Sequence, residues 1–232
     1  MIELFPEGFE EVEDDGGVEF VAYTNAGGEE RLLQTFGNAS GRDVEDGWEE
    51  RWRAFHRATR VGSLWIGPPW LEPDSGATPV AIEPGQAFGT GGHPTTRLCL
   101  ELVLEEARGS LVDLGCGSGV IAVAAAKLGF SPVIAIDNDP LAVEATLRNA
   151  AANGVLLEAK RGDVLSGPMP AADLAVANIS IEAIGRLSDR FVGGRVITSG
   201  YLANDEPRLA GYRHLARRSD VGWVADVYVR EE

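Results

Sequence analysis

Two groups of residues in this sequence are spaced to handle a nucleoside. The first is a run of glycines behind an acid, Asp113-Leu114-Gly115-Cys116-Gly117-Ser118-Gly119. Glycines at such a place let the backbone turn tightly and approach a ligand closely. The second is Asp137, 22 residues after Gly115 (137 − 115) and at the tip of the next expected strand. In a doubly wound sheet the ends of neighbouring strands meet at a switch point, where a carboxylate can accept both hydroxyls of a ribose.

The loop reads G-x-G-x-G. Dinucleotide sites read G-x-G-x-x-G and seat a pyrophosphate on a helix N-terminus. Here an acid, Asp113, precedes the loop. A carboxylate at that place suits a ligand with an ammonium group and no phosphate, either by direct contact or by orienting the loop or a water. S-adenosylmethionine fits, so Gly115, Gly117 and Asp137 point to a methyltransferase that leaves S-adenosylhomocysteine. Asp163, in Arg161-Gly162-Asp163-Val164, follows the third expected strand. In such enzymes an acid there accepts a hydrogen bond from the adenine amino group; the other reading is a loop or cap acid.

These residues need a scaffold, and the hydrophobic pattern supplies one. From Leu111 the chain alternates strand and helix: Leu111–Leu114, a helix over 120–128 closed by Gly129, Val133–Ile136, then Asp139-Pro140 opening a helix that runs to Asn153-Gly154. Strands follow over 155–160 and 173–177, a helix after Ser180, a strand over 195–198, a short helix near Glu206 and a strand over 225–229. The pattern predicts an α/β fold with a doubly wound, mostly parallel Rossmann-like sheet. Upstream, residues 8–13 and 18–23 read as a hairpin turning at Asp14-Asp15-Gly16-Gly17. Residues 46–57 read as a helix with Trp48, Trp52 and Phe55 on one face, Leu64-Trp65-Ile66 as a strand, and 68–77 as a boundary. The expected division is a small β-rich segment over 1–45, a linker helix over 46–60 and the cofactor-binding methyltransferase domain over 61–232.

Composition bounds the rest. At 44% hydrophobic and 24% charged, the 232 residues match an ordinary globular protein that can bury a core. No apolar run is long enough for a membrane span, and the N-terminus lacks a signal-peptide pattern. The 36 acids against 20 bases give a net charge of −16, which repels nucleic acid and either attracts a basic partner or serves solubility alone. Two cysteines, Cys99 and Cys116, form no CxxC pair and read as reduced thiols in a cytoplasmic protein. Cys99 sits on the apolar face of a helix, and Cys116 is small enough for the loop. His56, His93 and His214 have no companions at metal spacing, so no metal is expected.

Three further segments carry a family resemblance. They are Glu83-Pro84-Gly85-Gln86-Ala87-Phe88-Gly89-Thr90-Gly91-Gly92-His93-Pro94-Thr95-Thr96, Asn178-Ile179-Ser180 and Asp46-Gly47-Trp48-Glu49-Glu50-Arg51-Trp52. With Gly193 to Leu202 they resemble the PrmA-type methyltransferases of ribosomal protein L11, from about residue 46 to the end. The resemblance implies a class I methyltransferase fold, with cofactor contacts from Thr96, Gly115 and Asp137, and with Asn178 beside the methyl. It implies methylation of lysine and α-amino groups of a basic ribosomal protein; the alternative is the same chemistry on another protein lysine or a small molecule. Two departures stand out. About 45 residues precede the linker where the family has a longer docking module, which bears on the substrate. Ser180 replaces the family's leucine after Asn-Ile, which alters a wall near the acceptor.

Methyl transfer from a sulfonium is an in-line displacement whose leaving group needs no acid, so positioning dominates. Asn178 is expected to orient cofactor and acceptor without acting as a base. His93 is read as a structural hydrogen-bonding residue in preference to a base, and Thr95 and Thr96 as helix caps.

Overall fold

The computed structural model describes residues 10–14, 17–21, 32–37, 56–84 and 91–231. The chain divides into two compact units, Met1–Phe55 and His56–Glu232. In the first, β1 (Glu10–Asp14) and β2 (Gly17–Val21) form an antiparallel hairpin with Asp14 opposite Gly17, the register expected for a turn at Asp15-Gly16. Residues 32–36 are helical. The aromatic-faced segment over 46–55 lies outside the described residues.

In the second unit, residues 59–60, expected at the end of the linker helix, belong to a strand. β3 (Thr59–Val61), β4 (Leu64–Gly67) and β5 (Thr78–Ala81) make a small sheet in which β4 pairs antiparallel with β3 and parallel with β5. The turn-rich stretch 68–77 is therefore a connection inside one sheet and not a boundary between units. Val61, Leu64, Ile66, Val80 and Ile82 are buried and join the main core.

The main sheet has seven strands: β6 (Leu111–Leu114), β7 (Val133–Asp137), β8 (Glu158–Arg161), β9 (Ala172–Asn178), β10 (Gly193–Leu202), β11 (Tyr212–Asp220) and β12 (Trp223–Arg230). Their order is β11-β12-β10-β9-β6-β7-β8. Neighbours from β8 to β10 pair parallel, and β12 runs antiparallel to both β10 and β11. The sheet is thus mostly parallel, with its direction of growth reversing between β6 and β9.

Four helices cover it: α1 (Pro94–Glu105), α2 (Val120–Lys127), α3 (Pro140–Ala152) and α4 (Ile181–Leu187). Right-handed crossovers that move outward from β6 to β8 put α2 and α3 on one face, and those that move outward from β9 put α4 on the other. The cores agree. One contains Leu98, Val103, Ile121, Val123 and Ala150 from α1 to α3, and the other contains Ile184 and Leu187 of α4 with Phe191, Tyr201 and Tyr228. α2 is Ala-rich and almost wholly buried, which lets it sit close to the sheet. Gly129, at φ 94°, closes it, and Asp139 caps α3 by accepting from Leu141 N at 2.9 Å.

The structure departs from the sequence expectations at the C-terminal end. No helix forms near Glu206, and β11 occupies a segment with no strand pattern. Tyr212-Arg213-His214-Leu215-Ala216-Arg217-Arg218 neither alternates nor runs apolar. It pairs because β12 offers a ladder and because Asp226, fully buried, accepts a two-point bond from Arg217 at 2.8 Å and bonds from His214 and Tyr201. Arg218 meanwhile pairs with Glu101 and Glu105 of α1.

Candidate active site

A cleft of about 350 Å³ opens where β6, β7 and β9 end. That is the switch point of the sheet, where ligands bind in open α/β folds, and the volume suits a small-molecule site. Thr96, Gly115, Gly117, Asp137, Asp163 and Asn178 all line this one cleft. The structure therefore brings together every residue singled out for the site, from five separate segments.

The glycine loop sits against the start of α2. Gly115 is at φ 78°, and a Cβ there would stand 2.5 Å from Ile179 Cγ2. Gly119, the N-cap of α2, is also left-handed and brings no side-chain cap. Asp113 supplies the missing acceptor from inside β6: its Oδ2 takes the Ala122 N–H at 3.1 Å. Asp113 is buried and does not line the cleft. Of the two roles open to it, orienting the loop is the one its geometry serves. Ser118 Oγ also accepts from Val120 N at 3.3 Å. Val120 N and Ala122 N of the first turn of α2 are thus taken by the chain's own groups, one of them an acid, which disfavours a pyrophosphate there. Burial raises the Asp113 carboxyl to about 7, against the lowering effect of the Ala122 bond.

Asp137 ends β7 with both oxygens engaged. Oδ2 accepts from Gly117 N at 2.9 Å and Oδ1 from Asp139 N at 3.0 Å. Asp163 is exposed. It accepts from Ser166 Oγ at 2.6 Å and Leu165 N at 2.8 Å, and these two bonds hold its carboxyl below the usual range. It is a turn acid that also faces the cleft.

On the other side, Asn178 ends β9 and its Nδ2 lies 3.5 Å from Thr96 Oγ1, a weak bond. Thr96 is buried in the first turn of α1. The cap of that helix is His93, not Thr95 or Thr96: His93 Nδ1 accepts from Thr95 N at 3.3 Å and lies 2.7 Å from Thr95 Oγ1. His93 also meets Trp223 edge-on, with ring centroids 4.9 Å apart. Arg97, one residue on from Thr96, donates to Gly92 O and pairs with Asp220.

Burial, then the Arg97 charge, hold the His93 imidazole below its usual range. Between that lowered value and the unfolded value near ~6.5, only the unfolded chain binds the proton. Stability therefore rises with pH through this window and is lost as pH falls through it. A His93→Asn variant keeps a cap acceptor and should flatten the acid side of the stability profile while leaving stability at pH 8 within about 1 kcal/mol. Urea titrations from pH 5 to 8 check this; an unaltered acid slope contradicts it.

Both thiols are pushed up by burial, so neither Cys99 nor Cys116 is a thiolate nucleophile at neutral pH. Among the described residues no cluster of three or more His, Cys, Asp or Glu side chains is placed to hold a metal ion. No described helix is long and apolar enough to cross a membrane.

A family model described as ribosomal protein L11 methyltransferase (PrmA) matches residues 16–225. The chain belongs to the PrmA family. It is 39% identical over 199 residues to a ribosomal protein L11 methyltransferase of Symbiobacterium thermophilum, covering 78% of this chain and 65% of that one. It is 40% identical over 172 residues to the Heliobacterium modesticaldum protein of the same name, covering 69% and 54%. A crystal structure of ribosomal protein L11 methylase from Lactobacillus delbrueckii subsp. bulgaricus superposes with a TM-score of 0.66 at 27% identity, over 75% of this chain and 99% of that one. The chain spans between 54% and 65% of the length of the first two relatives.

Seen as a PrmA-family chain, it has two informative features. Ser180, which stands where the resemblance calls for leucine, caps α4 by accepting from Ala183 N at 3.4 Å, and it lines the cleft. The other is a polar stripe on α3 that sequence reasoning missed. Thr146 Oγ1 donates to Gly117 O at 3.1 Å. Asn149 Nδ2 donates to Ser118 O at 2.8 Å, and its Oδ1 accepts from Glu83 N at 3.1 Å. Asn153 clasps both the N–H and the C=O of Ala81. The signal was present as small polar residues at i, i+3 and i+7 in an Ala-rich helix, one face of which must be buried. Residues 85–90 of the PrmA signature lie outside the described residues.

Proposed function

We propose that this chain is an S-adenosylmethionine-dependent methyltransferase acting on lysine or α-amino groups of ribosomal protein L11. The observation that carries the reading is Asp137: a carboxylate at the tip of β7, bonded to Gly117 N at 2.9 Å, at the edge of a cleft whose other walls are Thr96 and Asn178. The donor set suits the cofactor. Gly115, left-handed and packed against Ile179, lets the loop backbone line the cleft, Asp137 and Asp163 offer acceptors to ribose and adenine, and the Val120 and Ala122 N–H groups of α2 are already bonded to Ser118 and Asp113. When bound, S-adenosylmethionine supplies an electrophilic methyl on a sulfonium that departs as neutral thioether.

The protein's share is to bind and orient. Asp137 holds the ribose side and keeps the loop closed over it through Gly117. Asn178 offers a carboxamide oxygen to an amine N–H at the acceptor side. A lysine amine titrates near ~10.4 in water and attacks only when neutral. Ile179 and Ala183 line this side of the cleft, and partial desolvation there lowers that value. Asp163 is engaged by Ser166 Oγ and Leu165 N, which hold its carboxyl below the usual range, and burial keeps Cys116 protonated. The reaction thus relies on in-line placement. The excess of 36 acids over 20 bases fits a basic protein acceptor in the cytoplasm.

Incubation with radiolabelled S-adenosylmethionine and purified, unmethylated ribosomal protein L11 tests the reading. Label in that protein is the expected result. Tight cofactor binding with no label would move the acceptor to another protein or a small amine.

A further inference from the structure

The turn between β11 and β12 is built from an ill-suited residue. Asp220 pairs with Trp223 across the ladder, so Val221-Gly222 form a two-residue hairpin loop. Both have positive φ, 47° at Val221 and 81° at Gly222. Such turns favour Asn, Asp or Gly at the first position, because a β-branched side chain fits the left-handed region poorly. Burial does not compensate, since Val221 is 81% exposed. A scattered exposed valine is ordinary. An exposed valine that also strains its turn has no folding advantage over asparagine, and such outliers point to function.

Its position says which function. β12 starts where β10 ends, with Trp223 opposite Leu202, so the turn lies on the same edge of the sheet as the cleft. Asn178 is opposite Ser199 on β10. At strand spacings of about 4.8 Å and rises of about 3.3 Å per residue, the turn stands roughly 15–20 Å from Asn178. Leu202 beside it is 51% exposed. The turn is held in place from below: Asp220 pairs with Arg97, and Trp223 packs on His93.

We infer that Val221 and Leu202 form an apolar contact for the body of a protein acceptor whose amine is at Asn178; this rests on the function proposed above. A stable protein interface covers about 800 Å² on each partner, a patch roughly 30 Å across. A folded acceptor whose footprint extends from the cleft toward β12 covers this turn while its amine sits at Asn178. A free amine or short peptide does not.

The test compares wild type with Val221→Asn and Leu202→Ser, using purified ribosomal protein L11 and a short lysine peptide as acceptors. Val221→Asn should raise the melting midpoint by about 2–4 °C, since it relieves strain. It should also raise KM for the protein acceptor about 5–10-fold, with kcat, the peptide kinetics and the Kd for S-adenosylmethionine unchanged. Leu202→Ser leaves the turn backbone alone and should raise the same KM. Protein-acceptor KM values within twofold of wild type for both variants overturn the contact, as does an equal loss on the peptide. A wild-type enzyme that binds cofactor and leaves L11 unlabelled defeats the function reading itself, and the contact with it.

Discussion

Replacing Asn178 with alanine should lower kcat by about 10²–10³-fold, with the fold intact and cofactor affinity within about threefold of wild type. The size follows from the role proposed for it. A group that fixes the reacting geometry has effects of this order, because small displacements from an in-line arrangement are costly. The selectivity follows from its surroundings. The side chain's only described bond is the 3.5 Å contact to Thr96 Oγ1, so its loss removes well under about 1 kcal/mol of stability. β9 itself is held by two parallel ladders, to β6 and β10, which the substitution leaves alone. Single-turnover rates at saturating cofactor, alongside calorimetric Kd values, separate the two quantities. Turnover equal to wild type would remove Asn178 from the mechanism.

Asp137→Ala should instead act on binding, raising the Kd for S-adenosylmethionine about 100-fold. Hydrogen bonds to a charged acceptor are each worth about 1.5–3 kcal/mol, and the ribose would lose its acceptors at one stroke. The loop would suffer as well, because Gly117 N and Asp139 N both donate to this carboxylate. Asp137→Asn keeps one oxygen of similar placement and should give an intermediate loss of about 10–30-fold. At saturating cofactor kcat should fall far less than in Asn178→Ala, since the role proposed for this carboxylate is to hold the ribose and not the methyl. Titration calorimetry on both variants checks the order Ala worse than Asn. A Kd within threefold of wild type for Asp137→Ala would mean that the ribose is held elsewhere.

Local sequence carried a large part of this protein. Apolar strands at Leu111–Leu114 and Val133–Ile136, the Asp139-Pro140 start of α3 and the left-handed glycines of the loop are decided by residue type over a few positions. They recur in the structure with small shifts of boundary. The glycine loop and Asp137 were legible for the same reason: in a doubly wound sheet, chain order alone says which strand ends adjoin. Thr96 and Asn178 came from the family resemblance instead. Tertiary structure decided what no short window contains. β11 carries no strand pattern and is a strand because Asp226, buried in β12, needs the Arg217 guanidinium. The sequence left Asp113 either touching the ligand or orienting the loop; its bond to Ala122 N, across nine residues, exists only once β6 and α2 are packed and serves the second role. Asn149 bonds both Glu83, 66 positions away, and Ser118, 31 positions away. Backbone propensity and hydrophobic period act over a turn or a strand, whereas a buried polar group must find its partner wherever the fold brings one within 3 Å.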